Sequence, residues 1–316
     1  MIEYRTFRNS DPPRLAEIWR SQPPERGLVQ PMSADMLEQL VLAKPYFENA
    51  GLIVAVDDGM PIGFAHAGFG PTAEEQGLST EMGTTCMLMV RSNYQRLGIG
   101  CELLARSERY LQGRGSKVLY AGCIRPLNAF YLGLYGGSEM PGVLDSNPKA
   151  QQLFRTHGYR EIDRTVVVQR SLAGFRPLID RRQMQIRRRS VLEMNEDPSP
   201  RSWWDACTYG GFERTRFQLL ARPGGELLAE AAFWNIEPLA SSWGVHAVGL
   251  TDLEIRSSER RQGLATFLLS EAFRHFQCQG MTLVEAQTME HNTAALGLYQ
   301  KLGFEAIDHG TVFRKE

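Results

Sequence analysis

The chain has 316 residues, 43% of them apolar and 22% charged, and its 35 basic and 36 acidic side chains leave a formal net charge of −1. That length supports two domains with separate cores, and the composition excludes a disordered chain. Up to position 165 there are 17 basic and 18 acidic residues, with 18 of each after it, so neither half carries the electrostatic footprint of a nucleic-acid binder.

Taken in chain order, the apolar patterning predicts a strand at Ile2 to Phe7 and helices at Pro13 to Arg20 and Ala34 to Ala43. Strands follow at Leu52 to Val56, Ile62 to Gly68 and Thr85 to Val90, then a helix from Gly100 and a strand at Lys117 to Cys123. A helix at Pro148 to Thr156 and a strand at Tyr159 to Arg170 complete a first unit. The second unit has strands near Gln185 to Arg189, Phe217 to Ala221, Leu227 to Asn235, Ala247 to Arg256 and Thr282 to Gln287. Its helices are near Leu264 to Gln277 and Thr293 to Lys301. Gly and Pro interrupt the pattern in Ser171 to Asp180, which places a domain boundary there and divides the chain into 1–170 and 171–316.

The five cysteines, Cys86, Cys101, Cys123, Cys207 and Cys278, are widely spaced, with no CxxC and no nearby histidine pair. Neither a disulfide framework nor a metal site is expected, and a reducing cytoplasm fits. No run approaches 18 uncharged apolar residues, and MIEYRTFRNSDPP has no signal-peptide core, so no membrane partner is expected.

The two units are copies. MLMVRSNYQRLGIGCELLARSERYLQGRG, from Met87, resembles TDLEIRSSERRQGLATFLLSEAFRHFQCQG, from Thr251. A second pair of blocks, SNPKAQQLFRTHGYREI from Ser146 and HNTAALGLYQKLGFEAI from His291, agrees in spacing: Asn147 to Gly158 and Asn292 to Gly303 are both 11 positions. Gly98 to Asn147 spans 49 positions and Gly263 to Asn292 spans 29, so the first copy carries about 20 extra residues, in 125–145. That segment holds Phe130, Tyr131, Tyr135, Gly136, Gly137 and Glu139, which suit a binding loop; an added helix and turn covering the sheet is the competing expectation.

Gln95-Arg96-Leu97-Gly98-Ile99-Gly100 and Arg260-Arg261-Gln262-Gly263-Leu264-Ala265 both fit [QR]-x-x-G-x-[GA] between a strand and a helix. Free N–H groups at a helix N-terminus attract an anion, and small residues let a diphosphate approach the backbone. Neither hexapeptide is a Walker motif or G-x-G-x-x-G, which argues against nucleotide hydrolysis and dinucleotide redox chemistry.

These hexapeptides, followed by N-x-x-A-x-x-[LF]-[YF]-x-x-x-G-[FY], resemble the two conserved blocks of the GCN5-related N-acetyltransferases (GNAT). The likeness covers nearly the whole chain as two tandem copies, an organisation similar to that of the mycothiol synthases. The resemblance implies an α/β (α+β) fold of two GNAT-like domains, each a mixed, mostly antiparallel sheet with a splayed parallel strand pair and flanking helices. It further implies acetyl-CoA as cosubstrate, its diphosphate on the hexapeptide amides. The implied contacts are Val90, Arg96, Leu97, Gly98, Ile99 and Gly100 in the first copy. In the second they are Ile255, Arg261, Gln262, Gly263, Leu264, Ala265 and Asn292.

Aligning the copies sets Met89 against Glu254 and Phe154 against Tyr299. Family members often place a basic carboxylate and an acidic tyrosine at these points. The resemblance therefore implies catalysis in the second copy, Glu254 as base and Tyr299 as acid, with a small-molecule primary amine as acceptor. Asp252 is the nearest substitute for Glu254. Against these roles stand a core tyrosine at 299, a solvated carboxylate at 254 and a helix cap at Asn292. His246 and His291 read as loop histidines, and Trp203 and Trp204 with Asp205 as packing or an acceptor wall. Arg181, Arg182, Arg187, Arg188 and Arg189 read as a solvated strand rather than a polyanion site. A non-catalytic acyl-CoA sensor or scaffold and a protein or peptide acetyltransferase remain alternatives, as do an intrachain pseudo-dimer and a homodimer.

Overall fold

The computed structural model describes residues 1–127, 130–177 and 179–316. Asn128 and Ala129, within the extra segment, and Leu178, within the expected boundary, lie outside the described residues.

In chain order come β1 (Glu3–Thr6), α1 (Pro12–Arg20), α2 (Ala34–Leu37), β2 (Leu52–Asp57), β3 (Met60–Pro71), β4 (Leu78–Val90), α3 (Ile99–Gly113) and β5 (Val118–Ala121). Then follow β6 (Val143–Leu144), α4 (Pro148–Thr156), β7 (Arg160–Ser171), α5 (Arg181–Arg189), β8 (Ser190–Glu196) and α6 (Trp203–Tyr209). The rest is β9 (Arg214–Ala221), β10 (Leu227–Asn235), α7 (Glu237–Trp243), β11 (Ala247–Ile255), α8 (Leu264–Cys278), β12 (Leu283–Met289), α9 (Thr293–Lys301) and β13 (Glu305–Lys315). Two compact units emerge, one of Met1–Thr165, Pro200–Gly211 and His309–Glu316, the other of Val166–Ser199 and Phe212–Asp308.

The first unit's strands run in the order β1-β2-β3-β4-β5-β13, and the part of β13 from His309 on belongs to this unit. Its neighbours are antiparallel except β4 and β5, which pair in parallel from Met82↔Val118 to Thr85↔Ala121. There β5 ends while β4 continues to Val90, so the parallel pair parts and leaves a slot. Helix α3 presents Ile99, Leu103, Leu104 and Leu111 on one stripe, and these pack against Ile62, Ala65, Phe69 and Leu119. Phe313, fully buried, stands in register with Ala121 and packs its ring 6.0 Å from that of Phe154.

The second unit repeats the plan in the order β7-β12-β11-β10-β9-β8, β7 entering from Val166 on. Its parallel pair is β11 with β12, from Ala247↔Leu283 to Leu250↔Ala286. Leu268, Leu269, Ala272, Phe273 and Phe276 of α8 fill the core against Phe217, Phe233 and Leu250.

Two expectations are corrected here. The arginine run is helix α5, not a strand at 185–189. Asp180 caps it by accepting from Gln183 N at 2.8 Å, and the buried side chains, Gln183 and Ile186, lie three residues apart on one face. Arg, Gln and Met are good helix formers, and Ile186 is the single β-branched residue in RRQMQIRRR, so propensity overrode the apparent alternation. The extra segment contains no helix among the described residues; it runs as turns and short extended stretches.

Candidate functional site

The first hexapeptide begins where β4 ends. A short 3₁₀ turn (Ser92–Tyr94) reverses the chain, and Gln95 Nε2 donates to Val90 O at 3.1 Å across it. Arg96 and Gly98 then take positive φ of 65° and 80°, and α3 starts at Ile99. A side chain at Gly98 would meet nothing within 4 Å and one at Gly100 only Leu88 Cδ2 at 3.7 Å, so the first turn of α3 opens on free space. Helix N-termini leave their first N–H groups without intrahelical partners and carry partial positive charge, which suits a phosphate.

That space continues into a cleft of about 450 Å³ along the parted strands. One wall is β4 from Thr85 to Val90; the other brings Gly122, Gly142 and Val143, then Asn147, Ala150 and Phe154 of α4. Asn147 both lines the cleft and caps α4, accepting from Ala150 N at 3.1 Å. Arg96 and Lys149 stand at the mouth, Lys149 Nζ donating to Gln95 Oε1 at 3.1 Å. Lys149 escaped the sequence reading; the signal was its place two residues after Asn147, where the second copy has Ala294.

The second hexapeptide has the same backbone. Arg261 and Gly263 take φ of 64° and 85°, and α8 starts at Leu264. Its surroundings differ: a side chain at Gly263 would fall 2.9 Å from Arg182 Cδ and 3.5 Å from Gln183 Nε2, both on α5. The same helix sends Arg189 to Gln262 Oε1 at 3.0 Å and to Glu259 Oε2 at 3.4 Å, and pairs Arg187 with the buried Glu271. Arg187 is thus paired with α8, and Arg189 with the turn and hexapeptide that lead into it.

Glu254 is exposed on β11, in register with Glu230, while Asp252, half-buried, stands opposite Ala232. Tyr299 is buried on α9, its ring 5.1 Å from Phe304. Ile255 packs against the second core and Leu264 is buried in it. Asn292 caps α9 by accepting from Ala295 N at 3.2 Å. His246 and His291 are exposed. In the first copy Val90 and Ile99 are buried, and Leu97 is 64% exposed beside the cradle.

The extra segment reaches the first cleft through Tyr135, Gly142 and Val143. Phe130 packs 4.3 Å from the His66 ring, Tyr131 stacks on Trp19 at 6.0 Å, and Tyr135 lines the cleft. His66 Nδ1 lies 2.9 Å from Tyr131 Oη, and complete burial pushes its imidazole down to about 3, so it is neutral at pH 7. Helix α6 packs Trp204 4.8 Å from Tyr46 in this unit, and Lys44 Nζ donates to Cys207 O at 2.7 Å and Thr208 O at 3.2 Å. Burial lowers Lys44 to about 8. The sequence reading also missed Glu25, in the loop after α1, which lines the cleft and which only the three-dimensional path of that loop brings there.

Among the described residues no cluster of three His, Cys, Asp or Glu is placed to hold a metal ion, and no helix is long and apolar enough to cross a membrane. A curated relative, L-methionine sulfoximine/L-methionine sulfone acetyltransferase of Pseudomonas paraeruginosa, is 27% identical over 117 residues, 35% of this chain and 63% of that one. Among solved structures, a GCN5-related glucosamine N-acetyltransferase region of a fungal multi-domain GH3 β-N-acetylglucosaminidase superposes with a TM-score of 0.71 at 14% identity, over 100% of this chain and 38% of that one. A tandem GNAT protein from the clavulanic acid biosynthesis pathway gives 0.67 at 16% identity, over 100% and 98%. The chain therefore spans under two thirds of the curated relative and of the fungal protein, and the structural likenesses speak for the fold. Residues 13–136 and 182–304 each match the acetyltransferase (GNAT) family, and the chain belongs to that family, carrying its domain twice.

Proposed function

We propose that this chain is an acetyl-CoA-dependent N-acetyltransferase acting in the cytoplasm on the primary amine of a small molecule, with acetyl-CoA held in the first unit's cleft. The observation that carries this is the open cradle at Gly98 and Gly100, continuous with a cleft of about 450 Å³ and flanked by Arg96 and Lys149. The backbone from Gln95 to Gly100 would receive the diphosphate, Arg96 and Lys149 would neutralise it, and the parted β4 and β5 would take the pantetheine arm. Acetyl-CoA supplies an activated acetyl thioester. Met87, Met89, Leu153 and Phe154 give the slot apolar lining against which the arm would pack. A small acceptor agrees with the relative named for L-methionine sulfoximine and sulfone.

A second reading places transfer in the second unit, with Glu254 as base and Tyr299 as acid; the phenol that Tyr299 retains and Phe154 lacks favours it. Calorimetry with acetyl-CoA separates the two. The first reading expects Arg96→Glu combined with Lys149→Glu to abolish binding and Arg261→Glu to leave it intact. The reverse pattern, with Glu254→Gln and Tyr299→Phe slowing transfer, establishes the second. Absence of binding to the unaltered chain defeats both.

A further inference from the structure

The residues that line the first cleft bring one carboxylate into it, that of Glu25. Its loop follows α1 and is tied down just after Glu25. Leu28 N donates to Glu25 O at 3.1 Å, Leu28 forms a β-bridge with Tyr135, Val29 N donates to Leu134 O at 3.1 Å, and Gly136 N to Gly27 O at 3.0 Å. The bridge thus brings the loop that carries Glu25 beside Tyr135, far apart in sequence, and both residues line the cleft. At the aligned position where the second copy has Glu254, this copy has the buried, uncharged Met89.

We propose that Glu25 is the residue that meets the acceptor in the first cleft, selecting a molecule that carries a primary ammonium and removing one proton from it. This inference rests on the acetyl-CoA reading of the same cleft. At neutral pH a primary alkylamine is protonated and has no lone pair with which to attack. Glu25 takes one proton from the ammonium nitrogen, the N–H bonding pair becomes the nitrogen lone pair, and the carboxylic acid later returns its proton to water. Burial raises the Glu25 carboxyl, against the opposing pull of Lys149, toward the range in which a carboxylate works as a base. The other titratable or charged groups facing this space are Arg96, Lys149, Cys86, Cys101 and Tyr135.

The test compares Glu25→Gln with the unaltered chain using two probe acceptors, methylamine, which is an ammonium at pH 7, and hydroxylamine, which is neutral there. The expected result is a fall of about 10²-fold or more in transfer to methylamine, with transfer to hydroxylamine and affinity for acetyl-CoA both retained. Glu25→Asp should restore part of the methylamine rate. The acidic limb of the methylamine pH profile should vanish in Glu25→Gln. Equal losses with both probes, or loosened acetyl-CoA binding, make Glu25 a structural residue and overturn the proposal. Acetyl-CoA binding without transfer to either probe also overturns it, while leaving the cleft's acetyl-CoA reading intact. Failure to bind acetyl-CoA removes both.

Discussion

Phe313→Ala tests whether the end of the chain is a working part of the first unit. Phe313 is three residues from the C-terminus, yet it is fully buried, in register with Ala121 of β5 and 6.0 Å from the ring of Phe154, which lines the cleft. Truncating a buried Phe to Ala removes its transfer free energy and leaves a cavity, a cost of about 3–5 kcal/mol. The strand around it cannot readily relax, because Thr311 accepts from Gln151, Asp145 N donates to His309 O at 2.7 Å, and Lys315 is held by Glu108. For a unit of this size about 1 kcal/mol moves Tm by about 2–4 °C, so the expected fall is on the order of 10 °C.

The assay is calorimetric unfolding with and without acetyl-CoA. Ligand at about 100 times its Kd adds about 2.7 kcal/mol to whichever unit binds it. If the first unit holds acetyl-CoA and β13 completes that unit, one transition is both raised by ligand and lowered by Phe313→Ala. The variant should also bind acetyl-CoA more weakly, because Phe154 loses its support. A Phe313→Ala chain whose lowered transition is the one that acetyl-CoA leaves unmoved refutes this reasoning, as does an unshifted Tm. Leu227→Ser, at an exposed position of β10, is the control and should change little.

Helix α5 keeps a side chain against Gly263, so the unaltered chain should take up one acetyl-CoA, and Arg182→Ala with Gln183→Ala should add a second, weaker equivalent by calorimetric titration. His66 is held near 3 by burial while the unfolded chain titrates near 6.5, so the unfolded state takes up the proton first and stability falls as pH drops through that window. Urea unfolding at pH 5 should show a loss of about 2 kcal/mol relative to pH 7 that His66→Gln abolishes. Lys44 acts with the same sign in an alkaline window: with its folded value lowered to about 8, the unfolded chain binds more protons above that pH, and stability should rise from pH 8 toward pH 10. Lys44→Met should flatten that rise in the same assay.

The repeat, the hexapeptides and the capped helices at Asn147 and Asn292 were legible in the sequence because each depends on local chemistry: a glycine at positive φ, an Asx cap, a periodic apolar stripe. The predicted bounds of the strand at Leu227 to Asn235 and of the helices at Pro148 to Thr156 and Thr293 to Lys301 coincide with those observed. What was not legible depends on long-range partners. Residues His309–Glu316 close the sheet of the first unit although they follow the second copy's blocks, and Pro200–Gly211 joins that unit too. The arginine run failed for a different reason, since nine polar and apolar residues fit a strand's alternation and a helix's face equally well until Asp180 is seen to cap it.

Aligning the copies compares residues at equal positions, and on that comparison the first copy lacks both groups of the expected acid/base pair. A cleft is built from space as well as positions. The first unit's extra segment carries Tyr135 to the cleft, and the loop after α1 carries Glu25 there, so a carboxylate and a phenol line it without occupying the aligned sites. The second unit keeps the aligned pair, but Glu254 is exposed, Tyr299 is buried beside Phe304, and a side chain added at Gly263 would fall 2.9 Å from Arg182 Cδ. Retained side chains argue for the second unit, and the open cradle at Gly98 with its cleft for the first. An open cradle can recruit its proton acceptor from any element that reaches it, and that is the ground on which the first unit's cleft is proposed as the acetyl-CoA site.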